Sequence, residues 1–344
     1  MRWWGAQVDF RYLLLQSLRQ LISLKAASAR AGAAGAGGDL MGGHTAPVMA
    51  LLMKQCDSEE ESVRSLVAEC LGRLALIAPV EVLPKLKELV GSARPETRAT
   101  AVNALKFTIT DHAPVAELAG CIEDFLRLLT DESILVRKAA LTTLNSATHT
   151  KAALVRPALG TDWLLPCLYG ETAYKKELVR TVNLGPFQHK VDDGAELRKL
   201  ALACMDTLLD RAGDRLDMPI FLTHVQARLS DELDDIIQAA YQVLAKLAVR
   251  DPACVREVLD TLSEPLGAVL NKKHKESASP QDIERHNELL RTAMVTVVAL
   301  RRMHDANTCH KFAAMVDAIS QDAKLRALLE AVSSEGDASS AIQP

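Results

Sequence analysis

A ten-residue pattern that recurs along the chain restricts the fold more than any other feature. Five segments align without gaps: SVRSLVAECL, ETRATAVNAL, LVRKAALTTL, ELRKLALACM and DIIQAAYQVL. Their third position is Arg64, Arg98, Arg137 and Arg198 in four segments and Ile237 in the fifth. A small or apolar residue follows three positions later, and a leucine or methionine follows seven positions later. These offsets place the apolar side chains on one face of a helix.

Acidic residues precede the arginine position by six or seven residues in four of the five segments. They are Asp57, Asp131, Asp192 and Asp231. A carboxylate there suits a helix N-terminus, where it accepts hydrogen bonds from backbone N–H groups. Between the segments lie further stretches with helical period, such as EVLPKLKELV, IEDFLRLL and IFLTHVQARL. The predicted unit is therefore a pair of antiparallel helices.

The intervals between the arginine positions are 34, 39, 61 and 39 residues. Two-helix units of about 40 residues are typical of HEAT repeats. The apolar content is aliphatic, because 49% of the residues are hydrophobic and only 4% are aromatic. The sequence thus predicts an all-α fold, a HEAT-type α-solenoid (armadillo-like superhelix) that spans residues 1–344 as one domain. A globular α-helical bundle is the alternative.

Three segments depart from the helical pattern. Residues 26–43, AASARAGAAGAGGDLMGG, contain few side chains to bury and predict a flexible Gly/Ala link. Residues 271–283 are polar with a Ser-Pro pair and predict a loop. Residues 334–344 predict a disordered tail.

The interval of 61 residues exceeds its neighbours by about 22 and contains the stretch ELVRTVNLGPFQHKVDDG. Its first part is rich in β-branched residues, and its second part alternates as FQHKV. Gly185 and Pro186 between them favour a reversal of the chain. This predicts a β-hairpin over residues 177–192, inserted into the solenoid. The alternative is that ELVRTVNL continues the preceding helix.

An isolated hairpin is marginally stable in water and has unpaired edges. A partner that covers it would account for its presence, with Leu184, Pro186 and Phe187 as an apolar tip. Residues 174–190 carry four basic residues and one glutamate, whereas the next 80 residues carry 15 acidic and 8 basic residues. The hairpin is therefore predicted to suit a partner with an acidic rim.

Catalytic patterns are missing from the sequence. It has no phosphate-binding loop, Gly-x-Ser-x-Gly, His-Glu-x-x-His or calcium-loop motif, and its seven cysteines include no Cys-x-x-Cys pair. We expect no enzymatic activity, no metal and no cofactor. The balance of 40 basic and 44 acidic residues gives no nucleic-acid or membrane footprint. The start lacks a signal-peptide pattern, so the expected location is cytoplasmic or nuclear.

The run LLPCLYGETAYKKELVRTVNLGPFQHKVDDGAELRKLALACMDTLLDRAGDRLDMPIF resembles the C-terminal region of the cullin-associated neddylation-dissociated proteins, a TATA-binding-protein-interacting family. VAECLGRLALIAPVEVLPKLKELV, NALKFTITDHAP and VRKAALTTLNSATHTKAALVR resemble it too, so the similarity covers roughly residues 11–335. The string GPFxHxVDDG is its most specific part. Full members are several times longer, so the chain resembles their C-terminal portion.

The resemblance implies a HEAT superhelix that binds an unneddylated cullin and regulates the assembly and substrate-receptor exchange of cullin–RING ubiquitin ligases. The C-terminal arc would meet the cullin N-terminal region, where the hairpin competes with the substrate-receptor adaptor. A monomer bound to the cullin–RING complex is expected. The partner-binding residues implied are Arg180, Val182, Leu184, Gly185, Pro186, Phe187, His189, Lys190 and Val191. The alternative function is a generic HEAT adaptor of the transport or phosphatase type.

Overall fold

The computed structural model describes residues 2–30, 43–184, 187–272 and 279–340. Within these ranges it contains seventeen α-helices and one two-stranded antiparallel sheet. The chain divides into two compact units, residues 1–171 with 210–215, and residues 172–209 with 216–344. The sequence predicts one solenoid over residues 1–344, and the structure divides it into these two units. Each unit is described by itself below.

The first unit is built from helices that pair along the chain. Their bounds are α1 Arg2–Arg30, α2 Thr45–Met53, α3 Glu61–Ile77, α4 Pro79–Val90, α5 Pro95–Thr108, α6 Val115–Ala119, α7 Ile122–Leu126, α8 Ile134–Leu159 and α9 Leu164–Thr172. Helices α1, α3, α5 and α8 stack side by side in that order. Helices α2, α4 and α7 pack against α3, α5 and α8 respectively, which gives the two-helix repeat that the sequence predicts.

The second unit holds the hairpin and the later repeats. Its elements are β1 Val179–Leu184, β2 Phe187–Asp192, α10 Ala195–Ala212 (whose last turn belongs to the first unit), α11 Met218–Gln226, α12 Asp234–Arg250, α13 Pro252–Glu257, α14 Leu259–Leu270, α15 Pro280–Arg301, α16 His310–Gln321 and α17 Ala323–Ser340. Helices α12, α15 and α17 stack in order, and α11, α14 and α16 pack against them.

The leucine position of the repeat pattern lies in the core. Leu71, Leu105, Leu144, Met205 and Leu244 are all fully buried. The small residue three positions after the arginine is buried as well, as in Ala101 and Ala140. Short side chains let neighbouring helices approach closely. At the α3–α5 contact a Cβ placed on Gly72 would lie 2.2 Å from the carbonyl oxygen of Ala104, so only glycine fits there.

Arg64, Arg98 and Arg137 close the loops that precede their own helices. Arg64 donates from Nη1 to the carbonyl oxygens of Ser58 and Glu59, at 2.6 and 2.9 Å. Arg98 donates in the same way to Ser92 and Ala93, at 2.9 and 3.1 Å. The arginine thus satisfies carbonyl groups six and five residues earlier, which a loop between packed helices would otherwise leave without partners.

Asp57, Asp131 and Asp231 lie in loops and Asp192 ends β2, so none of the pattern aspartates is a helix N-cap residue. Asp131 accepts a hydrogen bond from the backbone N–H of Ser133 at 2.8 Å, and Ser133 is the N-cap residue of α8. Asp231 accepts in the same way from Leu233, the N-cap residue of α12, at 3.2 Å. The prediction of a carboxylate near the helix start is correct, but it acts on the residue before the first turn.

Several segment boundaries differ from the sequence-based expectation. Helix α1 runs to Arg30 and buries Ala26, so the first five residues of the predicted link over 26–43 are helical, and residues 31–42 lie outside the described residues. Alanine favours helix, which explains the continuation. Helix α17 continues to Ser340, through most of the predicted tail over 334–344.

The polar loop predicted over 271–283 is shorter at its end. Helix α15 begins at Pro280, and Ser279 with Asp282 forms a reciprocal capping box at its N-terminus. Residues 273–278 lie outside the described residues. A further deviation occurs in α8, where Lys151 has non-helical backbone angles (φ −142°, ψ 65°) and divides the element into two helical stretches.

Candidate partner-binding hairpin

Strands β1 and β2 form an antiparallel pair where the sequence predicts the hairpin. The register pairs Val179 with Asp192 at the base and Leu184 with Phe187 at the far end. The predicted span of 177–192 begins inside a short 3-10 turn over Lys176–Leu178, just before β1. Gly185 and Pro186, the predicted reversal, lie outside the described residues.

The register sorts the strand residues into two faces, because directly opposed residues of an antiparallel pair lie on the same side. One face carries the pairs Arg180–Val191 and Val182–His189. The other carries Thr181–Lys190 and Asn183–Gln188. At these pairs one face carries two valines with a histidine and an arginine, and the other face is polar with one lysine.

Both faces are accessible. Arg180, Thr181, Asn183, Gln188, His189 and Lys190 are exposed, and Val182 and Val191 are half-buried. None of the strand residues whose burial the structure describes is buried. The two strands pair with each other at six register positions. A hairpin in this state offers side chains and strand edges to a partner.

The base of the hairpin is closed by two interactions. The backbone N–H of Asp193 donates to the carbonyl oxygen of Leu178 at 3.0 Å. The Arg180 guanidinium forms a bidentate pair with the Asp193 carboxylate, at 2.6 and 3.2 Å. The hydrogen bond from Arg180 to Asp193 raises the pKa of the guanidinium further above its usual range. Arg180 is thus engaged within the hairpin itself.

Asp192 joins the hairpin to the repeat that follows. Its carboxylate accepts a hydrogen bond from the Gly194 backbone N–H at 2.9 Å and pairs with Arg198 Nη2 at 2.8 Å. Arg198, whose side chain is only 1% exposed, also pairs with Asp231 at 3.2 Å. The Tyr174 ring lies 5.4 Å from its guanidinium carbon. One buried cation therefore holds the last residue of β2 and the loop before α12.

Gly194 makes this junction possible. A Cβ there would lie 3.1 Å from a methyl carbon of Leu178 and 3.2 Å from a carboxylate oxygen of Asp192. Both contacts are tighter than an ordinary side chain makes, and both partners belong to the base of the hairpin. The glycine in the DDG sequence therefore lets the chain turn closely from β2 into α10.

The predicted site residues divide into three groups. Val182, His189, Lys190 and Val191 present accessible side chains, although Lys190 lies on the opposite face from the other three. Arg180 is accessible but paired. Leu184 and Phe187 end the ladder, and Gly185 and Pro186 lie beyond it, outside the described residues.

Asp192, Asp193, Arg198 and Asp231 anchor the hairpin, and none of them is among the predicted partner-binding residues. A signal existed for three of them, because Asp192, Arg198 and Asp231 occupy the acidic and basic positions of the repeat pattern. The pattern predicts helix starts, but it does not say that the acid of one repeat pairs with the arginine of another.

Other polar clusters of the second unit are internally paired. A cleft of about 450 Å³ at the starts of α10, α12 and α15 contains Asp234, Asp235, Lys199 and Lys272. Lys199 pairs with Asp235 at 3.1 Å, and Lys272 pairs with Asp234 at 2.5 Å. Across the described ranges, no group of three or more His, Cys, Asp or Glu residues is placed to hold a metal ion. Across those ranges there is also no helix with the length and apolarity that crossing a bilayer requires.

Two-helix repeats that stack on their neighbours define a protein of the HEAT-type α-solenoid class, here with one inserted β-hairpin. Solved structures agree. Kap95p, a yeast importin-β, matches 93% of this chain and 39% of its own with a TM-score of 0.67 and 10% sequence identity. A designed armadillo repeat protein matches 73% of this chain and 97% of its own with a TM-score of 0.52 and 14% identity. At these identities the likeness concerns the fold alone.

Relatives in sequence identify the family to which the chain belongs. The family described as TATA-binding protein interacting (TIP20) matches residues 154–320, a range that includes the hairpin. Cullin-associated NEDD8-dissociated protein 2 of Mus musculus is 40% identical over 86% of this chain, and cullin-associated NEDD8-dissociated protein 1 of Drosophila melanogaster is 38% identical over 93%. The chain belongs to the family of cullin-associated NEDD8-dissociated proteins. It spans only 23% and 25% of the length of these two relatives.

Proposed function

We propose that this chain binds a cullin and regulates the assembly and substrate-receptor exchange of cullin–RING ubiquitin ligases, without catalytic activity of its own. Its hairpin would contact the N-terminal region of an unneddylated cullin and compete there with the substrate-receptor adaptor. The names of its relatives, which refer to cullin association, support the partner. The single observation that carries the site is the uncovered hairpin, anchored at its base and accessible on both faces.

The geometry suits a binding element for two reasons. First, Arg198 holds Asp192 while it is itself buried, so the hairpin is fixed before a partner arrives. Preorganisation lowers the entropy that binding costs. Second, the face with Val182, His189 and Val191 offers apolar area that its own chain leaves partly accessible. Burial of such area against a partner stabilises a complex.

The charged residues of the hairpin take different roles in this proposal. Lys190 is exposed, and it would steer the approach of a partner with an acidic rim. Arg180 is paired with Asp193, so it would stabilise the base of the hairpin more than it contacts the cullin. Of these two basic residues, Lys190 is thus the one proposed to contact the cullin.

Removal of the hairpin tests the proposal. Residues 180–191 are replaced by a short glycine bridge, so that Leu178, Asp192 and Asp193 remain. Helicity and melting temperature should stay near those of the parent, since none of the strand residues whose burial is described is buried. Binding to an unmodified cullin N-terminal region, measured by titration calorimetry, should weaken strongly, and competition with the adaptor should disappear. A deletion variant that folds normally and binds as tightly as the parent contradicts the site.

Point variants refine the test. Phe187→Ala should weaken cullin binding by about 1–3 kcal/mol if the residue is an anchor at the interface. Lys190→Glu should mainly slow association and change its dependence on salt. Lys324→Glu, a charge reversal at an exposed position of α17, is the matched control and should change neither. If the parent itself fails to bind any cullin, the cullin assignment is wrong and a generic adaptor role takes its place.

The location follows from the same proposal. Cys56, Cys70 and Cys121 are buried and form no disulfide, which fits a compartment where thiols persist. We therefore place the protein in the cytoplasm or the nucleus, where it would meet the cullin–RING complex as a monomer. Fractionation with an epitope tag checks the compartment, and recovery in a secreted fraction would contradict it.

A further inference from the structure

A Ser-Pro pair lies at the start of α15, and neither the solenoid nor the proposed hairpin site accounts for it. Ser279-Pro280 is the only position in the 344-residue sequence where a serine or a threonine precedes a proline. Both residues are exposed. Proline-directed serine/threonine kinases recognise this dipeptide, because the ring after the target hydroxyl fills an apolar pocket and brings no N–H group that needs a partner. The motif therefore points to a modified hydroxyl.

The backbone holds the Ser279 hydroxyl in a conformation that such an enzyme can bind. Ser279 is extended (φ −67°, ψ 158°), as the residue before a proline generally is, and it precedes the helix instead of lying inside it. Gln281 and Asp282 are exposed in the first helical turn, which is the part of a helix that opens most readily. The buried residues of α15 begin only at His286. A kinase can therefore reach the hydroxyl without disruption of the core.

Phosphorylation would change the hydrogen bonds at the start of α15. In the capping box the Ser279 hydroxyl donates to the Asp282 carboxylate at 2.7 Å, and the backbone N–H of Ser279 donates to the same oxygen at 3.2 Å. These hydrogen bonds, with a smaller contribution from the charge of Arg285, lower the pKa of Asp282. The carboxylate is therefore ionised at neutral pH, and a phosphate on the same serine would repel it. At this end of the helix the phosphate could itself accept hydrogen bonds from the backbone N–H groups.

Arg285 supplies a counter-charge for that phosphate. Together with Asp282 it lines the cleft of about 450 Å³ at the starts of α10, α12 and α15. The two lysines of this cleft are held by Asp235 and Asp234, as described above. Arg285 is exposed, and within the described ranges its guanidinium forms no ion pair. A guanidinium is a planar fork that binds two oxygens of a phosphate at once, so Arg285 is the cation that suits this role.

We propose that Ser279 is a phosphorylation site for a proline-directed serine/threonine kinase, and that its phosphate replaces Asp282 as the N-terminal cap of α15 and pairs with Arg285. The co-substrate is ATP. The bond from the γ-phosphorus to the β–γ bridging oxygen breaks, and a new bond forms from that phosphorus to Ser279 Oγ. The hydroxyl proton passes to solvent and ADP leaves. The proposal does not depend on the cullin-binding role of the hairpin.

Phosphorylation in vitro tests the assignment. The full 344-residue chain is incubated with Mg-ATP and a proline-directed kinase of the mitogen-activated class, and mass spectrometry of the intact chain and its peptides follows the product. A single phosphate should appear, on Ser279. Pro280→Ala keeps the hydroxyl but removes the recognised proline, so it should abolish the modification, whereas Ser279→Thr should retain it. Ser320→Ala, at an exposed serine of α16 without a following proline, is the matched control and should be modified like the parent.

Two outcomes would overturn the assignment. One is the lack of phosphate on Ser279 in the folded parent while a short Ser-Pro peptide in the same reaction is modified. The other is full modification of Pro280→Ala, which would show that the kinase does not read the dipeptide.

The second ionisation of the phosphate tests the contact with Arg285. An opposite charge nearby favours the dianion and lowers the second pKa, which is about 6 for an unperturbed phosphoserine. Phosphorus NMR of the modified chain over a pH series should therefore give a higher value for Arg285→Gln than for the parent. Arg301→Gln removes the same charge at the other end of α15, about 24 Å away, and should leave the value unchanged. Equal values for Arg285→Gln and the parent overturn the contact.

Discussion

Arg98 and Asp131 lie 33 residues apart and form a bidentate ion pair between neighbouring repeats, with N–O distances of 2.7 and 2.8 Å. Their side chains are 9% and 6% exposed. Arg198 and Asp231, also 33 residues apart, repeat the arrangement in the second unit. Arg98 thus closes its own loop and holds the loop of the next repeat. Arg198 joins Asp192, before its own helix, to Asp231 in the loop of the next repeat.

Loss of one partner of this pair should be costly. Arg98→Ala leaves the Asp131 carboxylate buried without its counter-charge and frees two loop carbonyls, so we expect a loss of about 3–5 kcal/mol in the free energy of unfolding. Arg94→Ala is the control. Arg94 pairs with Asp57 at 2.9 Å, but both side chains are roughly half exposed, so its loss should cost less than about 1 kcal/mol. Urea denaturation measures both, and equal losses would contradict the role of burial.

The same pair should affect acid stability. Burial opposes ionisation of Asp131, but the hydrogen bonds from Arg98 and Ser133 and the charges of Arg98 and Arg137 outweigh it and lower the pKa of the carboxyl. A folded-state pKa below the unfolded value means that the pair stabilises the fold above about pH 4, and that this stabilisation is lost as the pH falls through the folded-state pKa.

Asp131→Asn removes that titration. The difference in unfolding free energy between parent and variant should therefore be largest near neutral pH and should shrink as the pH falls below about 4. Denaturation curves at a series of pH values measure it. An apolar core variant of similar overall cost supplies the control, since its difference from the parent should stay constant over the same range. A constant difference for Asp131→Asn would show that the pair does not contribute through its charge.

The leucine position of the repeat pattern should behave as core. Leu144 is fully buried in α8. Leu144→Ala should lower the free energy of unfolding by about 2–5 kcal/mol, through lost burial and a residual cavity. Thermal and denaturant unfolding measure the change. A loss well under 1 kcal/mol would mean that the neighbouring helices close the space without cost, contrary to the packing described here.

Two glycines should respond in opposite ways to alanine. At Gly72 a Cβ would lie 2.2 Å from the Ala104 carbonyl oxygen and 2.6 Å from the Cβ of Phe107, so Gly72→Ala should destabilise the fold by about 1–3 kcal/mol. At Gly170, inside α9, a Cβ would meet nothing within 4 Å. Gly170→Ala should be neutral or stabilising by up to about 1 kcal/mol, because alanine favours helix. Differential scanning calorimetry distinguishes the two signs.

The cysteines should separate into two classes of reactivity. Burial raises the pKa of Cys56 and of Cys70 to about 12 each, and that of Cys121 to about 11. These thiols should react slowly with a maleimide in the native protein, because the thiolate is the reactive form. Cys309, which is only half-buried, should react first. Mass spectrometry of native and urea-treated samples follows each site, and equal native rates for Cys56 and Cys309 would contradict the prediction.

The sequence predicted the parts of the fold that depend on local pattern. Arginine, alanine and leucine at fixed offsets identified the repeat helices, and the interval between Arg137 and Arg198 located the hairpin. The predicted link begins at residue 26 because the glycines after residue 31 dominate the composition of that window. Ala26, however, is a helix former that packs in the core. Composition averaged over a window does not distinguish a helix end from the loop after it.

The anchoring of the hairpin could not be predicted in the same way. The resemblance implies Arg180 as a partner-binding residue, and the structure adds that it pairs with Asp193. The pairing of Arg198 with both Asp192 and Asp231 depends on the distance between loops of different repeats. Such distances depend on how the helices stack, and the periodicity of the sequence does not predict that stacking.

Asp192 belongs both to β2 and to the ion pair with Arg198, and this limits how the length of the hairpin can vary. This residue ends β2 and also supplies the acid that Arg198 requires, so the base of the insertion is set by the repeat and not by the strands. An insertion or deletion leaves that base unchanged only if each strand gains or loses one residue. A change in one strand alone would reverse the faces of that strand. The segment between Leu178 and Asp192 is therefore an exchangeable cassette. A strand pair of different length or contact chemistry could be grafted there to give the same solenoid a new target.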